Sequence, residues 1–168
     1  MTTERTSTAT VLIISLLIAN IGLSTYTAFR PLPAPAGELS KEAATSAITD
    51  GEANKMAGAM VPLYNERNVS ALYERFDQLA KVQFTKEQLT TQMEKLGTVI
   101  GRIDGYAYSH ATVAGNQGGR TYYTLHYKVS LSGGPFPTGD LTITVARNAE
   151  GLSLFGFFIN GTSGPQNQ

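Results

Sequence analysis

Two histidines, two glycine-flanked aspartates and a set of tyrosines are the side chains in this sequence whose types could do chemistry. His110 and His126 are the only imidazoles. A zinc site or a Ser-His-Asp triad needs further partners at suitable spacing, and the chain has no cysteine to supply them. His126 falls on the polar face of an alternating segment, with Tyr122, Thr124, Lys128 and Ser130. That placement favours a solvated or hydrogen-bonded histidine over a catalytic one. Asp104 precedes Gly105 and Asp140 follows Gly139, the composition of ordinary turns. No metal site and no cofactor are expected.

The tyrosines carry more information. There are eight, with no tryptophan: Tyr26, Tyr64, Tyr73, Tyr106, Tyr108, Tyr122, Tyr123 and Tyr127. Tyrosine combines an apolar body with a polar tip, which suits a pocket or an interface. Strand propensity and core filling account for the same residues more simply. The residues that could touch a ligand or partner are Tyr122, His126, Lys128, Tyr64 and Tyr108. Phe155-Gly-Phe-Phe158 reads as packing. Gly115-Asn-Gln-Gly118 is not a phosphate loop, since no Lys-Ser/Thr follows. Asn68-Val-Ser70 and Asn160-Gly-Thr162 match glycosylation sequons, which matter only in a eukaryotic secretory pathway.

These residues must be held by elements whose periods differ along the chain. Thr6 to Phe29 carries no charge, and about 20 apolar helical residues cross a bilayer core. The expected architecture therefore starts with a membrane segment in residues 1–30, spanning Thr8–Phe29 between Arg5 and Arg30. A cleaved signal is the alternative. Its cleavage site would have to be Ala34-Pro-Ala36, far from the apolar run, or a site ending at Ala28 with Tyr26 where a small residue belongs. Run length favours an uncleaved anchor. The large domain after a short N-terminus suggests export to a periplasmic or extracellular side, and the lack of cysteine agrees mildly.

Residues 31–39 form a Pro/Ala linker, extended and semi-rigid. Residues 40–162 are the size of one domain. From Leu39 onward there are 11 basic and 11 acidic residues, with no basic stripe of the kind nucleic acid requires. Residues 163–168 read as a disordered tail.

Within the domain, Lys41 to Leu96 has helical period. Met56, Met60, Val61 and Tyr64 share one face, with Pro62 marking a kink or a break near the end. A second helix is expected from Ala71 to about Lys81, with Leu72, Phe76, Leu79 and Ala80 apolar and Asp77 paired to Lys81. Thr85-Lys-Glu-Gln88 matches a capping box opening a third helix, which carries Leu89, Met93 and Leu96 and stops at Gly97. From Thr98 the period is two, predicting strands at about 99–113, 122–131, 141–147 and 152–160. Tyr123, Leu125, Tyr127, Val129 and Leu131 form the buried face of the second. The fourth is apolar on both faces, so a central position or helix cover is expected. The fold class is α+β: about three helices packed on a curved four-stranded antiparallel meander.

That order resembles the NTF2-like (cystatin-like, α+β cone) superfamily. The resemblance rests on Leu63-Tyr-Asn-Glu-Arg-Asn-Val-Ser-Ala-Leu-Tyr-Glu-Arg-Phe76, and on Phe84-Thr-Lys-Glu-Gln-Leu89 followed by a glycine, over about residues 50–162. Small membrane-anchored envelope domains of unknown function are nearest in character. The resemblance implies a cone-shaped pocket and no particular reaction. Asp104 and Asp140 could be bases as in ketosteroid isomerase-like members, although their turn-like settings disfavour this.

Three functions follow. The first is a membrane-tethered non-catalytic binding or assembly module, taking a protein partner or a small apolar ligand, with a homodimer left open. The second is an isomerase- or dehydratase-type enzyme using the cone pocket. The third is an accessory subunit of a membrane complex, its anchor packing through Ser15, Asn20, Gly22 and Ser24. The lack of a convergent acid–base pair disfavours the second.

Overall fold

A computed structural model describes residues 47–148 and 151–163. The Thr8–Phe29 run, the 31–39 linker and the tail beyond Ser163 lie outside the described residues. Among the described residues, no helix is long and apolar enough to cross a membrane. The domain is α+β, with helices α1 (Asp50–Asn65), α2 (Val69–Arg75), α3 (Gln78–Lys81) and α4 (Lys86–Val99). Strands β1 (Arg102–Gln117), β2 (Arg120–Ser132), β3 (Thr138–Asn148) and β4 (Gly151–Thr162) follow. The strands form one antiparallel sheet in the order β1-β2-β3-β4.

Helix α1 starts where Thr49 and Glu52 satisfy each other's free amides in a capping box, with Asp50 and Glu52 in the first turn favoured by the helix dipole. Pro62 sits in its last turn and the helix continues to Asn65. The stop is a Schellman pair, Arg67 N–H to the Tyr64 carbonyl at 3.0 Å and Asn68 N–H to the Leu63 carbonyl at 2.9 Å. Arg67 takes the left-handed position, φ 54°, that glycine usually fills.

Three expectations about the helices need correction. The predicted second helix is two pieces, because Phe76 turns extended and makes a parallel bridge to Leu154 of β4, while the Asp77 N–H donates to the Leu154 carbonyl at 2.7 Å. The break turns Leu79 half out into solvent. Asp77 does not pair with Lys81. One of its oxygens caps α3 at the Leu79 N–H and the other takes Arg120 Nη1 at 2.9 Å, while Lys81 reaches back to Glu74 at 3.1 Å. Gly97 does not end the third predicted helix, now α4, which runs to Val99. Instead, Gly97 leaves room for the Arg67 guanidinium, which a Cβ there would meet at about 3.0 Å.

The buried face is as the alternation of β2 predicts. Tyr123, Leu125, Tyr127, Val129, Ile143 and Val145 join Leu72, Phe76, Leu89 and Met93 in one core between the sheet and the helices. Tyr127 donates its hydroxyl to the Ala53 carbonyl at 2.8 Å, fixing α1 on the sheet. The Asn65 amide joins both backbone groups of Ile103, at 2.8 and 2.9 Å, and so continues the helix end into β1. Fourth-strand apolarity has a different cause from a central position. β4 is a sheet edge, covered by the Phe76 bridge, and it carries a bulge between Leu154 and Gly156.

β1 begins later than its predicted span because α4 runs on to Val99, and it continues through three register shifts, beside Asp104, Ser109 and Ala114, to a tight turn at Gly118-Gly119. Both glycines have positive φ, 60° and 73°, as a type I′ hairpin turn requires.

Candidate functional site

All the helices lie on the core side, and no described element covers the other face of the sheet. The strand registers place its residues in rows across the four strands. One row runs Ala107, Lys128, Asp140, Asn160; the next His110, His126, Thr142, Phe158; the next Thr112, Thr124, Thr144, Gly156; and the next Gly115, Tyr122, Ala146, Ser153. The four rows hold one cation and one anion. These are Lys128 and Asp140, paired at 2.6 Å in open solvent, where such a pair contributes little stability.

The aromatic part of this face is built across three strands. Tyr122 of β2 meets Phe155 of β4 edge to face, ring centroids 5.0 Å apart. Strands two apart are separated by roughly 9–10 Å, so the two rings lean over β3. Ala146 of β3 lies between them and has no exposed surface. Only a small residue fits under that bridge.

The two histidines are neighbours. Their rings stack with centroids 4.5 Å apart and 11° between planes. Oγ of Ser109 lies 3.0 Å from Nδ1 of His110, and Oγ1 of Thr112 lies 3.2 Å from Nε2 of His126. Partial burial and then the adjacent His110 lower the His126 pKa, with Asp140 opposing.

The five sequence-predicted contact residues do not converge. Tyr122, His126 and Lys128 share the outer face. Tyr64 is core, its hydroxyl donated to the Gly101 carbonyl at 2.9 Å and its pKa pushed up to about 12 by burial. Tyr108 faces the helices beside Tyr127, ring centroids 5.5 Å apart, with its pKa raised by burial and then by Asp50. Asp104 is an exposed residue at a register shift and Asp140 is ion-paired on the surface. The structure does not bring the two aspartates to one pocket with a histidine.

Among the described residues, sheet and helices pack through one continuous core. A small, partly open apolar void of about 10 Å³ is lined by Met60, Val61, Tyr64, Ile103, Leu141, Phe157 and Ile159. That is about the size of one water. A shallow depression lies on the outer face instead, beside Lys128 and Asp140 and floored by Gly105, Ala107 and Ser130. Among the described residues no three His, Cys, Asp or Glu side chains gather as a metal site.

The sequence pattern reads Phe155-Gly-Phe-Phe158 as packing and does not set Phe155 and Phe158 on the outer face or His110 against His126. Phe155 is the extra residue of the β4 bulge, where the alternation breaks. A second polar anchor was also missed: one Glu52 oxygen accepts from the Thr49 N–H at 2.9 Å, the Thr49 hydroxyl at 3.0 Å and Arg147 Nη2 at 2.9 Å. The Arg147 bond is the largest of several effects that hold the Glu52 carboxyl down at about 2. Compared with known proteins, the chain matches no family model, no curated protein and no solved structure.

Proposed function

We propose that this chain is a membrane-tethered, non-catalytic binding module of NTF2-like type that engages a protein through the outer face of its sheet. The observation that carries this reading is the uncovered face itself. It is poor in charge and presents the Tyr122–Phe155 bridge and Phe158 among threonines, and interface centres are likewise depleted in charge and enriched in aromatics. The larger depression, about 610 Å³, also lies beside Lys128 and Asp140 on this face, against about 10 Å³ between sheet and helices, which supports a site on the outer face over one in the interior. The tether is the Thr8–Phe29 run, and the domain stands on the extracytoplasmic side.

The test uses the full chain in its own membranes, with a photo-crosslinking residue at Thr124 on the outer face or at Glu94 on the exposed side of α4. Crosslinking from Thr124 and not from Glu94 is the expected result. The triple change Tyr122→Ala, His126→Ala, Lys128→Ala should remove it. A product of twice the chain's mass identifies the partner as a second copy. Equal labelling from both positions, or turnover that depends on Asp104 or Asp140, overturns the reading.

A further inference from the structure

The histidine pair is a product of register. Counting back from the Gly118-Gly119 turn, unbroken pairing sets Ala111 opposite His126. The shift between Val113 and Gly115 moves His110 there instead. A second shift, between Tyr108 and His110, then returns Tyr108 to the helix side opposite Tyr127. Two irregularities thus flank His110 and aim it outward beside His126, while Tyr108 still packs inward. Such bulges re-aim single side chains and are over-represented beside functional sites.

We propose that His110 and His126 form a two-histidine chelate for one borderline divalent transition-metal ion, Zn²⁺ or Cu²⁺, on the outer face of the sheet. Directly opposed residues on antiparallel strands hold their Cβ atoms about 4.5–5.5 Å apart, a span that two imidazoles can close on one ion. Metal–nitrogen bonds of about 2.0–2.1 Å bring the ligating nitrogens to roughly 3 Å. The stacked rings reach this by tilting about their second torsions, which are broad for histidine. Imidazole nitrogen is a preferred ligand for both ions. The two rings already stand face to face at 4.5 Å on adjacent strands, so little rearrangement brings both to one ion. Lys128 and Asp140, one row away, neutralise each other, and the Asp140 charge reaches His126. Among the described residues no third ligand of the usual kinds gathers at the pair, so the ion would keep positions open to water or a further donor. This site stands whether or not the face binds a protein.

The test titrates the full chain in mild detergent with CuCl₂ and reads the electron paramagnetic resonance spectrum. One ion per chain, with hyperfine splitting from two nitrogens, is the expected result. His110→Ala or His126→Ala should each weaken binding at least about tenfold, because the second ligand of a chelate acts at a millimolar effective concentration. Undiminished binding by the double variant overturns the proposal. A second measurement needs no variant: ZnCl₂ should protect both histidines of the native chain from diethyl pyrocarbonate, read by mass spectrometry. Unchanged labelling at either one overturns it as well.

Discussion

Tyr122 and Phe155 touch across a strand that belongs to neither of them, and their rings seal Ala146 beneath. Edge-to-face aromatic pairs contribute about 0.5–1.5 kcal/mol beyond the area they bury. A double-mutant cycle of Tyr122→Ala and Phe155→Ala, followed by chemical unfolding of a fragment starting at Leu39, should return a coupling of that size. A coupling indistinguishable from zero would mean the rings part in solution. Because Tyr122 is half-buried, the triple variant that removes it loses about 1 kcal/mol or a little more, which is short of unfolding.

Phe76 is the residue at which helix gives way to bridge. Its ring is buried against Phe84 at 4.9 Å, and its backbone pairs with Leu154. Phe76→Ala should cost roughly 3–5 kcal/mol. A shift of only a degree or two in melting temperature would contradict its place in the core.

Glu52 supplies an acid limb to stability. Its carboxyl has a folded-state pKa of about 2 against 4.5 for the free group, chiefly through Arg147. The depressed value means that its contribution is complete above about pH 4.5 and is lost as pH falls toward 2. The ion pair is partly exposed, so a contribution of about 1 kcal/mol is appropriate. Unfolding of native protein and Glu52→Gln, compared from pH 7 to pH 2, should give curves that converge at the acid end. Parallel curves throughout would show that the carboxylate does not hold Arg147.

Gly101 has the least room for a side chain of the described glycines. Its φ is +82°, and a Cβ there would run into the Ser132 carbonyl. Gly101→Ala combines strain with a backbone clash and should cost about 3 kcal/mol or more. Gly156→Ala meets nothing within 4 Å and needs no positive φ, so it serves as the control. Equal melting temperatures for the two would refute the contact.

What the sequence makes legible is what periodicity controls. Tyr123, Leu125, Tyr127, Val129, Ile143 and Val145 read correctly as one buried face because β2 and β3 pair without a register shift over that stretch. Thr85 and Gln88 read correctly because a capping box is local. Periodicity fails where one residue is inserted. The shift beside Ala114 cannot be inferred from residue types, and without it His110 is not opposite His126. The Phe76 break fails for another reason. Phe76 fits the apolar face of a continuous helix, and only Leu154, far along the chain, draws its backbone into a bridge. Asp77 likewise had a good local partner in Lys81 and took a distant one, Arg120.

The bonds converging on one oxygen of Glu52 have a mechanical consequence. Thr49 stands where the chain enters the domain, and Arg147 belongs to β3. A pull on the first described residues meets the buried Ile48 and then Thr49, whose bonds to Glu52 tie it to the first turn of α1 and, through Arg147, to the sheet. The load is carried in parallel by a side-chain bridge and by the Tyr127–Ala53 bond one turn further on. Peeling the first helix from the sheet therefore requires both links to break. Glu52→Gln weakens the bridge and leaves more of that load on the Tyr127–Ala53 bond.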